Sequence, residues 1–176
     1  MPESLDPSLF YLDHETFLAG VEAVAAQLEA DVWKPDFLVG VGRGGLVPAA
    51  FLSHRLDIAM LSVDHSSGEP GFGQELLVKL ADKIAAGRRI LVVDDINDSG
   101  STIECIRNAI AAKGGGEDQL RVAVLINNGR SKARAEYAAT QIDRDTDKRW
   151  FVFPWEALGR RETILVEAVS VPERLA

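Results

Sequence analysis

Ile90-Leu91-Val92-Val93-Asp94-Asp95-Ile96-Asn97-Asp98-Ser99-Gly100-Ser101-Thr102 decides how this chain is read. The near-continuous branched apolar run over 89–93 predicts a strand buried on both faces. Two adjacent carboxylates follow. A small polar turn then opens an apolar-periodic stretch, 101–113, which predicts a helix closed by Gly114-Gly115-Gly116. Ser99, Gly100, Ser101 and Thr102 therefore fall where backbone N–H groups are unpaired at a helix N-terminus, a cradle for a phosphate. Gly100 lets the backbone approach closely. Asp94 and Asp95 can accept hydrogen bonds from the vicinal hydroxyls of a ribose or act through a divalent metal. Asp98 falls between the sugar end and the phosphate end, a natural place for an acid or base. Helix capping by Asp98 or Ser99 does not explain three aspartates within five residues, whose repulsion is costly without a cation or ligand. A calcium loop is rejected. Its twelfth position would be Ile106 instead of Glu, and a strand precedes it.

Working outward, 16–28 predicts an amphipathic first helix, and 37–41 a short buried strand ending in glycines. Residues 46–56 predict a helix with Pro48 in its first turn. Residues 58–63 and 122–126 predict strands, and 76–80 is read as a short strand. Residues 66–74, rich in Gly, Ser and Pro, predict a mobile loop. The tail over 136–171 is mixed. Alternating strands and helices imply an α/β fold with a mostly parallel central sheet flanked by helices. Ligands of such sheets collect at the carboxyl ends of the strands. A second candidate loop falls at such an end. Gly40-Val41-Gly42-Arg43-Gly44-Gly45, with Asp64 near the end of the next strand, matches the dinucleotide-binding pattern. Arg43 within the turn points instead to a discrete anion.

The chain has 176 residues, 47% hydrophobic and 26% charged, which suits one folded globular domain. Its net charge of -8 disfavours non-specific attraction to nucleic acid, so an anionic substrate needs local donors and metal. The lone Cys105 forbids an internal disulfide and fits a reducing cytoplasm; its helical setting predicts a small core residue. No secretory signal and no membrane span are read. Arg130, Lys132 and Arg134 read as a solvated basic loop, and Arg160-Arg161 as surface residues with pyrophosphate within conceivable reach. His65 reads as a structural histidine.

The run from Ile90 to Thr102 resembles the signature of type I phosphoribosyltransferases, which bind 5-phosphoribosyl 1-diphosphate (PRPP). The resemblance implies that Asp94 and Asp95 hold the ribose hydroxyls and the Mg2+ shell. Asp98, Ser99, Gly100, Ser101 and Thr102 would wrap the 5-phosphate. Asp98 would also face the purine imidazole nitrogen as general base, and Arg43-Gly44 would match the basic-residue–Gly pair of the pyrophosphate loop. One ligand then accounts for both loops. Val63-Asp64-His65, the following loop, the acidic motif and the tail Glu136-Tyr137 … Trp150-Phe151-Val152-Phe153-Pro154-Trp155-Glu156 are similar in order to bacterial xanthine-guanine enzymes of that family. By that likeness Trp150 stacks on the base, the backbone at Phe151 and Val152 reads its edge, and Trp155 is read as packing. Those enzymes usually carry a lysine after the last core strand. Here Leu125-Ile126-Asn127-Asn128-Gly129 puts Asn127 or Asn128 in its place, with Lys132 an alternative donor. A 6-oxopurine is the first choice; adenine, a pyrimidine or no base stays open.

The expectations are then a single domain over 1–176, with a core over about 13–130 and a hood over about 131–176. The activity is a Mg2+-dependent purine-salvage glycosyltransferase acting on PRPP and a nucleobase. The protein is cytoplasmic, a homodimer or homotetramer by resemblance, and has no nucleic-acid or membrane partner. Two rival readings stand beside it: a non-catalytic nucleotide sensor on the same fold, and a dinucleotide-dependent oxidoreductase.

Overall fold

The computed structural model describes residues 7–63, 72–114 and 116–170. In chain order the elements are β1 (Leu9–Tyr11), α1 (His14–Ala30), β2 (Phe37–Val41), α2 (Gly42–Leu56), β3 (Met60–Val63), α3 (Phe72–Ala85), β4 (Ile90–Asn97) and α4 (Ser101–Ala111). A 3-10 turn, Glu117–Gln119, leads into β5 (Leu120–Asn128), β6 (Tyr137–Ile142), β7 (Trp150–Val152) and α5 (Arg161–Val169). Five strands form one sheet in the order β3-β2-β4-β5-β6, and β1 pairs with β7 in a separate ribbon. Every pairing among the described residues is parallel.

Alternate residues of β4 face opposite cores, as a doubly covered strand requires. Leu91 and Val93 pack with Phe17, Val21 and Leu28 of α1 and Ala49 and Leu52 of α2. Ile90 and Val92 pack with α3 and α4. The α/β architecture read from the sequence is therefore the one observed. Asp13 caps α1 by accepting from the Thr16 amide at 2.6 Å.

Four local expectations are corrected. Residues 76–80 lie in α3 rather than a strand: Leu77, Leu80, Ala81 and Ile84 recur at helical spacing and are buried in the core under α4. Helix α2 begins at Gly42, so Pro48 sits in its second turn rather than its first. Cys105 is exposed on α4, whose buried face is Ile103, Ile106 and Ile110. The segment expected as a hood is divided: β6 joins the core sheet, while β7 pairs with the N-terminal β1. The predicted loop falls mostly outside the described residues, as do Asp64 and His65, and 72–74 begin α3.

Candidate active site

Strand β2 pairs with β4 only as far as Gly40↔Val93, whereas β5 continues beside β4 to Asn97↔Asn127. The chain leaves β2 at Gly42, whose φ of 54° favours glycine, and turns straight into α2. The first turn of α2 then lies against the protruding end of β4. A methyl group on Gly45 would run into the Val93 carbonyl, and one on Gly44 into the Asp95 carboxylate. Arg43 is thus the single long side chain in a turn otherwise stripped to backbone.

The protruding acids open on a cavity of about 510 Å³. Arg43 and Gly44 line one side, and Asp94, Asp95 and Thr102 the floor; Trp150 and Phe151 of β7 form a wall. Phe153, Trp155 and Glu156 extend that wall, and Thr163, Ile164 and Glu167 of α5 close the far side. Asp94 and Asp95 are half-buried and adjacent. Burial, followed by the neighbouring charge of Asp95, holds the Asp94 carboxyl well above the ordinary carboxylate range. Burial, then repulsion from Glu156, pushes Asp95 up to about 7. The Asp95 amide donates to Asp94 Oδ1 at 3.0 Å and the Ile96 amide to Asp95 Oδ1 at 2.7 Å, fixing both rotamers.

Beyond the floor, Gly100 has φ 89° and leads into α4. The Ser99 and Ser101 hydroxyls are 3.0 Å apart. Asp98 meets Arg144, whose Nε and Nη2 donate to its two carboxylate oxygens at 2.9 and 3.1 Å. Asn127 stands in a relay of amides: it accepts from Asn97 Nδ2 and donates to Gln141 Oε1, each at 2.8 Å. Asn128 donates to the Asp98 carbonyl at 3.0 Å.

A model of the phosphoribosyl transferase domain matches residues 10–158. The chain belongs to the phosphoribosyl transferase domain family. It is similar to a xanthine-guanine phosphoribosyltransferase of Cereibacter sphaeroides, 31% identical over 125 residues that span 68% of each chain. Among solved structures it resembles a purine phosphoribosyltransferase from Pyrococcus horikoshii (26% identity, 85% of this chain and 94% of that one, TM-score 0.62). It also resembles a xanthine-guanine-hypoxanthine phosphoribosyltransferase from Helicobacter pylori (26%, 83% and 92%, TM-score 0.61).

In this phosphoribosyltransferase the cavity gathers Arg43, Gly44, Asp94, Asp95, Thr102, Trp150 and Phe151 from the residues singled out in the sequence. Asp98, Ser99, Gly100, Ser101 and Asn127 are not among its lining residues. They form the turn behind Thr102 and the amide relay. Trp155 packs edge-on against Phe17 (5.5 Å) and stacks on Phe153 (4.9 Å), so it is both packing and cavity wall. The exposed Arg130 pairs with Asp145 at 2.6 Å and Arg134 with Glu136 at 3.7 Å; the basic loop is a solvated one. Arg160 and Arg161 are exposed at the start of α5.

Sequence reasoning missed Glu156, Glu167 and Arg144. Glu156 lay inside the quoted tail motif, and its place beside Trp155 was the one available signal. Arg144 had none. The acid pair also fits a magnesium ion: two half-buried hard oxygen donors repel each other on the cavity floor, and Mg2+ is typically held by one or two carboxylates with substrate phosphates.

Proposed function

We propose that this phosphoribosyltransferase moves the 5-phosphoribosyl group of PRPP to a purine, a 6-oxopurine in preference to adenine, and releases pyrophosphate. The observation that carries the reading is that Asp94-Asp95, Arg43 and Trp150-Phe151 line one and the same cavity. The acids accept from the ribose hydroxyls. The first turn of α4, entered through Gly100, receives the 5-phosphate on its N–H groups and hydroxyls. Arg43 and the backbone of its turn take the pyrophosphate and stabilise charge as the glycosidic bond lengthens. A magnesium ion held through Asp94 and Asp95 would supply further charge neutralisation of the diphosphate.

The base stacks on Trp150, and the backbone at Phe151 and Val152 reads its edge. Glu156 favours the choice of purine. Its carboxylate is an acceptor at the wall, its Oε2 taking the Phe153 amide at 3.0 Å. A 6-oxopurine offers an N1–H donor, whereas adenine offers an acceptor at N1. Asp98, in the turn behind Thr102, is assigned the stabilisation of charge on the imidazole ring of the base or the uptake of its proton. Asn127 acts one layer back, through Asn97.

The whole chain is read as one domain, assembling as a homodimer or homotetramer in the cytoplasm. No helix among the described residues is long and apolar enough to cross a membrane. The test is pyrophosphate release from PRPP with Mg2+ and each of hypoxanthine, guanine, xanthine and adenine. Turnover with a 6-oxopurine is expected. The double change Asp94→Asn with Asp95→Asn should abolish it without unfolding the chain; retained activity would rule out this site. Thermal stabilisation by nucleotide with no pyrophosphate from any base would select the sensing role instead. The dinucleotide reading gives way to the family assignment; of the glycines it rested on, Gly40 lets α2 pack against β2 and Gly45 lets it pack against β4.

A further inference from the structure

Arg144 lies in the turn after β6, with 3% of its side chain exposed. Four hydrogen bonds leave its guanidinium. Two go to the Asp98 carboxylate, and two go from Nη1 to the carbonyls of Asp147 (2.9 Å) and Arg149 (2.7 Å). Only five N–H groups exist on a guanidinium, so this one is nearly exhausted and serves as a joint. Arg149 directly precedes Trp150. The same guanidinium also sits 5.3 Å from the centre of the Phe151 ring. Asn128 repeats the connection through the backbone: its Nδ2 donates to the Asp98 carbonyl at 3.0 Å, and its Oδ1 accepts the Arg144 amide at 3.3 Å.

Stability alone does not call for such a pair. Buried ion pairs are often replaceable by apolar groups without loss, whereas a planar fork fixes both distance and angle between the parts it joins. Here the parts are the sugar-phosphate turn and the strand that bears the base platform.

We infer that Arg144 is a positioning residue of the transfer reaction, which locks Asp98 and the Trp150-Phe151 wall in one relative placement. The inference rests on the transferase reading above. A lysine in its place keeps the charge but loses the fork.

The experiment is steady-state kinetics on the full chain with PRPP, Mg2+ and the best purine. It compares wild type, Arg144→Lys, Arg144→Gln, Asp98→Asn and the double variant Arg144→Gln with Asp98→Asn. Arg144→Lys and Arg144→Gln should each lower kcat about a hundredfold, while KM for PRPP stays within about threefold, because misplacement of a site group costs rate rather than anchoring. The double variant should be no more than about threefold slower than Asp98→Asn alone, since the two residues act as one unit. Should Arg144→Gln fail to fold by circular dichroism, the double variant, which leaves no lone buried charge, is compared directly with Asp98→Asn, and a kcat more than about threefold below it overturns the inference. Near-normal kcat in Arg144→Gln overturns the inference. So do losses that multiply in the double variant, or a KM for PRPP that rises as steeply as kcat falls. Absence of pyrophosphate release by wild type with every purine would instead strike the transferase reading itself.

Discussion

Asp94 and Asp95 carry a burial cost. Both carboxyls are pushed upward, Asp95 to about 7, chiefly by burial. The folded state therefore binds more protons than the unfolded chain between the ordinary 3.8 and about 7, and stability falls as pH rises through that window. Thermal melts of the ligand-free protein should show a decline in Tm from pH 5 to pH 8 that is weaker in Asp95→Asn, where the buried Asp94 alone still titrates. At pH 8 that variant should be more stable than wild type by about 1–2 kcal/mol while losing transfer activity. A wild-type Tm that rises over this range would refute the burial argument. At this scale the sequence was informative only where the site is contiguous. Asp94, Asp95 and Thr102 were legible as neighbours in one run. Arg144 was not, because its partner lies 46 residues away and nothing in Asp143-Arg144-Asp145-Thr146 marks it. Asn127 was legible as a departure, but its direction was not; amide side chains follow whichever partner the next strand offers, here Gln141.

Among elements, the join between a strand and the helix that follows it shapes the cavity. At Gly100 the chain takes φ 89°, and a methyl there would stand 2.6 Å from the Ala133 amide nitrogen. Gly100→Ala should therefore cost about 1–3 kcal/mol in a denaturant melt and weaken PRPP binding. Gly44→Ala meets a side chain rather than backbone, so its expected mark is different. Asp95 is displaced, KM for PRPP rises, and stability changes by less than in Gly100→Ala. A variant panel assayed for both quantities separates the two cases. Most elements were readable from periodicity, β2 to the residue. The failure at 76–80 has a plain cause: five residues rich in leucine satisfy strand and helix patterns alike, and only the continuation through Ala81 and Ile84 shows the helical face. Helix α2 was read as starting late because its first turn is glycine-rich, and contact with β4, rather than propensity, makes those residues helical.

For the molecule as a whole, ligand and stability are linked through the site between sheet, β7 and α5. PRPP with Mg2+, at about a hundred times its dissociation constant, should stabilise the fold by about 2.7 kcal/mol. For a chain of this size that is a rise in Tm of roughly 5–11 °C, readable by scanning fluorimetry. The shift should be larger at pH 8 than at pH 5, because the proton and the metal compete for the same acids. The parallel sheet was legible from alternation of strands and helices. The β1–β7 ribbon was not, since strands of three residues carry no periodicity and their pairing joins distant parts of the chain.

That ribbon has a consequence for how the protein comes into being. Leu9 is matched with Trp150 and Tyr11 with Val152, so the first of these strands to be made waits for one that follows it by about 140 residues. A nascent chain already holds Asp94 to Thr102 while its base platform is still inside the ribosome. Closure of so long a loop is a late folding event, and turnover should begin abruptly once Trp150–Val152 has left the ribosome instead of growing with chain length.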